Sequence, residues 1–159
     1  MSGTVTLHRV VRAPAERIYR AFLDPDAMCK WSPPHGFTGK VTHSDPRVGG
    51  FYKMSFTNFT TGTIHSFGGE YLELVPNERL RYTNYPVGSD LPDEPASHTT
   101  VDVHLEPEPD GRTRVELWVG DFAGLPNAVR RAREAGKVWV EALVGLKRES
   151  EDQARAMAA

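Results

Sequence analysis

The stretch Arg112–Leu146, RTRVELWVGDFAGLPNAVRRAREAGKVWVEALVGL, decides the fold, because the spacing of its apolar residues changes midway. Val115, Leu117 and Val119 alternate with polar neighbours, the period of a strand with one buried face. Beyond it, Val129, Ala132, Gly136, Trp139, Leu143 and Leu146 follow at intervals of 3, 4, 3, 4 and 3, which draws one narrow seam along a helix. A helix from Asn127 to about Gln153 spans ~40 Å at ~1.5 Å per residue. The seam runs on to Ser150 and Gln153, an end read as solvated.

Working back from this point, nearly everything from Phe37 to Asp121 reads as strand: Phe37–His43, Gly50–Asn58, Thr63–Leu74, Arg79–Tyr85, His98–Glu106 and Arg112–Gly120. Turn residues separate them, among them Asp45-Pro46, Thr61-Gly62, Pro76-Asn77 and Pro109-Asp110-Gly111. Tyr52, Met54 and Phe56 share one face, as do Val101, Val103 and Leu105. Connections this short require antiparallel neighbours. The longest aperiodic stretch, Pro86–Ala96, is expected as a surface loop within one domain. Gly49-Gly50 and Gly68-Gly69 are read as bulges where a strand bends.

At the other end, Thr4–Val11 reads as a first strand. Ala13-Pro14-Ala15-Glu16 opens a helix with Pro14 at its first position, and Ile18, Tyr19 and Phe22 form its buried stripe. Asp24-Pro25 ends that helix and opens a second, short one that closes near Trp31. The expected class is α+β: a seven-stranded antiparallel curved sheet wrapped around a long C-terminal helix, with two short helices between the first and second strands. Small residues at Ala132 and Gly136, beside Trp139, leave space where helix faces sheet and predict an internal pocket.

Composition sets the bounds. A chain of 159 residues, 39% hydrophobic and 25% charged, is long enough for a real core and is read as one domain, with a core over about 4–147 and a polar helix end at 148–159. Its one cysteine, Cys29, forms no internal disulfide, and no leader or membrane segment is visible, so the reading is a reduced, cytoplasmic protein without membrane insertion. A net charge of −2 argues against nucleic acid as a partner. Arg130, Arg131, Arg133 and Lys137 lack interleaved aromatics and are read as a solvated face. His98 and His104 would lie ~20 Å apart on one strand, and no metal-binding spacing occurs, so neither metal nor other cofactor is expected.

Trp31–Val41 (WSPPHGFTGKV), Asp45–Phe56 (DPRVGGFYKMSF), Gly68–Thr83 (GGEYLELVPNERLRYT) and the final helix with Trp139, Leu143 and Leu146 resemble the SRPBCC or START-like superfamily. The similarity is nearest to its bacterial branch related to the C-terminal domain of activators of heat-shock protein 90 ATPase, and it covers about Val5–Lys147. The resemblance implies a helix-grip fold around a hydrophobic cavity, and a function among carriers of apolar ligands, cyclases and chaperone co-factors. Asn84 stands where the family commonly has an aromatic residue, and His35 where it often has an acidic or small one.

The reading that follows is a non-catalytic carrier or sensor of a small apolar or aromatic ligand. The expected cavity wall is Trp31, Phe37, Tyr52, Met54, Phe56, Tyr71, Tyr82, Val101, Val103, Leu117, Trp139 and Leu143, with Asn58, His65 and Asn84 as polar anchors. Two other uses stand beside it. In a cyclase or hydrolase, Glu73, which alternates with Tyr71 and Gly69 and so is expected on their face, or His65 would move a proton. Pairing of Glu73 with Arg79 or Arg81 is the plainer role, and a turn-holding role is the plainer one for Asn58. The other alternative is an interaction module with a chaperone partner. The sequence leaves a homodimer open.

Overall fold

A computed structural model describes residues 3–86 and 97–158. Most of the expected loop at 86–96 lies outside them. The elements are β1 (Val5–Val11), α1 (Ala15–Leu23), α2 (Pro25–Trp31), β2 (Phe37–Ser44), β3 (Phe51–Asn58), β4 (Ile64–Val75), β5 (Arg79–Pro86), β6 (Thr99–Pro107), β7 (Thr113–Gly120) and α3 (Ala128–Ala158). The strands form one antiparallel sheet in the order β1-β7-β6-β5-β4-β3-β2, so β2 to β7 make a meander and β1 closes it beside β7. This is the expected α+β arrangement, a curved sheet that grips a long helix, with α1 and α2 between the first two strands.

Local chemistry accounts for the helix boundaries. Pro14 takes an extended conformation and serves as the N-cap of α1, one position earlier than the sequence suggests. Asp24 caps α2 through its carboxylate, which accepts from the Asp26 amide at 2.9 Å, and Pro25 follows where no amide is needed.

The core is asymmetric across the sheet. Val101, Val103 and Leu105 of β6, Val115, Leu117 and Val119 of β7, and Leu80 of β5 pack with Ile18 and Phe22 of α1 and Leu143 and Leu146 of α3. The β2–β4 side carries aromatic residues instead, and α3 does not fill that side.

Two features of α3 differ from the sequence reading. Its first turns are poorly buried, with Val129 exposed, whereas Ala142, Leu143, Gly145, Leu146 and Ser150 are buried. The end beyond Leu146 is therefore docked at Ser150, which is 1% exposed. The Glu151 carboxylate accepts from the Arg12 amide at 2.9 Å and from Lys147 Nζ at 2.6 Å, and Lys147 also donates to the Val10 carbonyl at 3.1 Å. These bonds tie the helix end to the end of β1. Burial alone would raise the Glu151 pKa, but the Lys147 and Arg12 hydrogen bonds outweigh it and hold the carboxyl below its usual value.

The bulges also lie elsewhere than expected. Register shifts occur between Val41 and His43 and between Tyr71 and Glu73, not at either glycine pair. Gly69 instead permits a close approach, since a Cβ there would sit 1.8 Å from the Thr83 carbonyl oxygen. Gly145 plays the same part between helices, where a Cβ would lie 2.4 Å from the Trp31 carbonyl oxygen. Replacing Gly145 with Ala pushes α3 off α2, and we expect a loss of about 1–3 kcal/mol, read as a lowered midpoint in thermal denaturation followed by circular dichroism. A midpoint at or above the parent value would show that the approach is not required.

Candidate functional site

The space left under the β2–β4 side is a cavity of about 350 Å³. The sheet supplies one wall: Tyr52, Met54 and Phe56 from β3, His65, Phe67 and Tyr71 from β4, and Tyr82, Asn84 and Pro86 from β5. Phe22 of α1, Met28 and Trp31 of α2, the following Ser32 and Pro34, and Phe37 at the start of β2 close one side. Val138, Trp139 and Ala142 of α3 close another.

Ten of the fifteen residues expected from sequence line this cavity: Trp31, Phe37, Tyr52, Met54, Phe56, His65, Tyr71, Tyr82, Asn84 and Trp139. The other five are elsewhere, for two physical reasons. Val101, Val103, Leu117 and Leu143 belong to the solid core under α1 and α3. Inward alternation is common to both halves of the sheet and does not reveal which half a helix covers. Asn58 is consumed locally, its Oδ1 accepting from the Thr60 and Thr61 amides at 2.9 and 3.1 Å, so it holds the β3–β4 turn. His65 stands opposite Phe56 in the ladder, not Asn58, and is exposed beside the Phe37 ring.

Glu73 makes the plainer pairing expected of it, with Arg79 and Arg81, but not on the face that alternation predicts it to share with Tyr71. The bulge at Leu72 sets three residues of β4, Tyr71 to Glu73, against two of β5, Tyr82 and Arg81. Parity is reversed there, so Tyr71 faces inward with Tyr82 while Glu73 faces outward with Arg81. On that outer face Glu73 lies 3.5 Å from Arg79 and 3.9 Å from Arg81, and Arg79 forms a two-pronged bond with Asp102 at 3.2 and 3.0 Å. His35 is exposed and does not line the cavity.

The sequence reading missed Phe22, Met28, Ser32, Pro34, Phe67, Pro86, Val138 and Ala142. Phe67 was open to discovery, for it keeps period two with Tyr71 and packs edge-on against Phe56 at 4.9 Å between centroids. Ala142, rather than Ala132 or Gly136, is the small α3 residue at the cavity. Gly136 lies against β1 instead, where a Cβ would sit 3.7 Å from the Val5 side chain.

Positioning is firm around the two tryptophans. Trp31 Nε1 donates to the Ala21 carbonyl at 2.8 Å, and its ring meets Phe22 edge-on at 5.0 Å and Trp139 at 6.2 Å. Tyr52, Tyr71 and Tyr82 form a cluster with centroids 5.5–6.1 Å apart. The Tyr52 hydroxyl is 3.0 Å from the Thr83 carbonyl and 3.3 Å from Asn84 Oδ1, so its proton is committed. The Tyr71 hydroxyl is buried without a hydrogen-bond partner among the described residues.

Burial holds all three phenols in the neutral form. It pushes Tyr71 up to about 12 from the ordinary 10.0, and it also raises Tyr52 and Tyr82 well above that ordinary value, with their neighbouring tyrosines adding to the effect. No Asp, Glu, Lys or Arg lines the cavity among the described residues.

The sequence model of the family described as "Activator of Hsp90 ATPase homolog 1-like protein" matches residues 12–151. The chain belongs to this family. A crystal structure of a Chromobacterium violaceum protein is 41% identical and superposes with a TM-score of 0.80, over 93% of this chain and 97% of that one. A solution structure from Arthrobacter aurescens shares the fold at 17% identity, with a TM-score of 0.81 over 95% and 87% of the two chains. An activator-like protein of Aeromonas hydrophila does so at 20% identity, with a TM-score of 0.72 over 94% and 93%. Comparison with curated proteins finds no match. Among the described residues, no helix is long and apolar enough to cross a membrane.

Two outcomes are expected from the tyrosine cluster. Tyr71→Phe removes an unpaired buried hydroxyl and raises stability by about 1 kcal/mol, or about 2–4 °C in melting temperature. Because the folded-state phenol pKa values lie above the unfolded value, the stability they contribute is intact below pH 10 and is lost as pH rises from 10 toward 12. Spectrophotometric titration should therefore show these three tyrosines ionising only above the ordinary phenol range, together with unfolding. Reversible ionisation of all five tyrosines near pH 10 in the folded protein would contradict this.

Proposed function

We propose that this member of the family is a non-catalytic carrier or sensor that holds a small, largely apolar molecule between the β3–β5 wall and α3. The observation that carries the reading is the hollow of about 350 Å³ itself, lined mainly by aromatic and aliphatic side chains and, among the described residues, by no Asp, Glu, Lys or Arg. Burying a guest's apolar surface there yields roughly 25 cal/mol per Å², against the cost of immobilising it. The enzyme alternative is weakened by the position of its candidate groups, since Glu73 is on the outer face and His65 at the exposed rim. The interaction-module alternative rests on the family description alone.

Binding is tested by screening lipids, flavonoids and aromatic polyketides by thermal shift, and by titrating the hits while following the indole signals of Trp31 and Trp139 by NMR. Ala142→Leu pushes a larger side chain into the cavity from α3. We expect it to weaken every hit more than tenfold, roughly the effect of losing 1.4 kcal/mol or more, with the fold retained. Hits unaffected by this substitution would place binding outside the cavity and remove the reading.

A further inference from the structure

The polar groups of the cavity do not form a balanced set. Ser32 is committed, its hydroxyl donating to the Met28 carbonyl at 2.5 Å, and Tyr52 is spent on Thr83 and Asn84. Asn84 Oδ1 is taken up by Tyr52, while its amide nitrogen has no hydrogen-bond partner among the described residues. The buried Tyr71 hydroxyl has none, and the half-buried Tyr82 makes no side-chain hydrogen bond to a described residue. What remains for a guest, besides His65 at the exposed rim, is two phenols and one carboxamide N–H group, each able to donate a hydrogen bond.

Their placement makes them a set. Tyr71 and Tyr82 occupy directly paired positions on β4 and β5, both on the inner face, with ring centroids 6.1 Å apart. Asn84 lies two residues along β5 from Tyr82 and so shares its face. Tyr71 is 2% exposed, and its hydroxyl has already lost water without gaining a partner.

We propose that the cavity selects an uncharged aromatic ketone or quinone, whose carbonyl oxygen accepts hydrogen bonds from Tyr82 and Tyr71, with Asn84 as a further donor. The inference rests on the cavity-binding reading above and adds its chemical class. A carbonyl oxygen has two lone pairs and no proton, so it can accept from these donors and needs no acceptor in return. A carboxylate or an ammonium group would be buried without a counter-charge from Asp, Glu, Lys or Arg among the described residues, a much poorer fit. An aromatic skeleton suits rings such as Trp31, Phe56, Phe67 and Trp139 on the surrounding walls. Burial keeps both phenols protonated across the physiological range, so both remain donors there.

The test compares α-tetralone, its hydrocarbon counterpart tetralin, and a tetralin carboxylate, with dissociation constants taken from the NMR shifts of the Trp31 and Trp139 indoles. The informative quantity is the preference for ketone over hydrocarbon, because it cancels the shared apolar contribution. Tyr82→Phe should lower that preference about fivefold to tenfold, with tetralin binding nearly unchanged, and Tyr71→Phe/Tyr82→Phe should lower it at least as far. Both variants keep the ring that fills the wall, and unaltered amide spectra away from the site would verify their fold. A preference that survives in the double variant, or a carboxylate that binds tightest to the parent protein, overturns the inference while leaving cavity binding in place. If none of the three compounds shifts either indole, the cavity-binding reading fails and this inference falls with it.

Discussion

The close approach of Gly145 to the Trp31 backbone is the constraint on which the rest of the structure depends. It seats α3 directly on α2, and the same segment of α3 places Leu143 and Leu146 in the core with β6, β7 and α1. The helix is thereby committed to one side of the sheet. A bulkier residue at 145 would hold α3 farther out; a helix centred over β4 would fill the space that Tyr71, Tyr82 and Phe67 now border. The hollow is thus the remainder of a packing decision made some distance from it, and the docking of the helix and the wall of the hollow are set by different parts of α3.

Much of this architecture was legible because each element carries its own local signal. The strands alternate, Asp24-Pro25 marks a helix junction, and the apolar spacing of α3 changes where the sheet ends. The inner-facing residues of β3 were legible for the same reason. Less visible was the division of the inner face into filled and unfilled halves: Val101, Val103 and Leu117 carry the same alternation as Tyr52 and Met54, yet α1 covers the first group and leaves the second beside open space. That distinction depends on contacts between residues far apart in sequence. Asn58 illustrates a different difficulty, since an amide suited to ligand recognition is equally suited to closing a turn, and only the positions of the Thr60 and Thr61 amides separate the two.

The unpaired Tyr71 hydroxyl has an energetic meaning beyond the missing bond itself. A core selected for stability alone would carry Phe there, with the same ring and no polar atom to desolvate. Retaining the phenol lowers the stability of the empty protein, which is the pattern expected where a group is kept for something other than folding. Tyr52 shows the contrast within the same cluster, its hydroxyl satisfied by the adjacent strand and by Asn84.

The extra residue at Leu72 governs which chemistry the interior of β4 presents. Upstream of it, Phe67 and Tyr71 face the cavity; downstream, Leu74 packs toward the core opposite Leu80 while Glu73 is turned to the arginines outside. A homologous chain one amino acid shorter at this spot would keep every side chain on its present side, because the deletion would merely regularise the ladder. Placing the same deletion a few residues upstream, between Phe67 and Tyr71, would exchange inside for outside along the intervening segment. Alignments of relatives that differ in length here therefore need their gap at 72, or they will assign a carboxylate to an interior that excludes it.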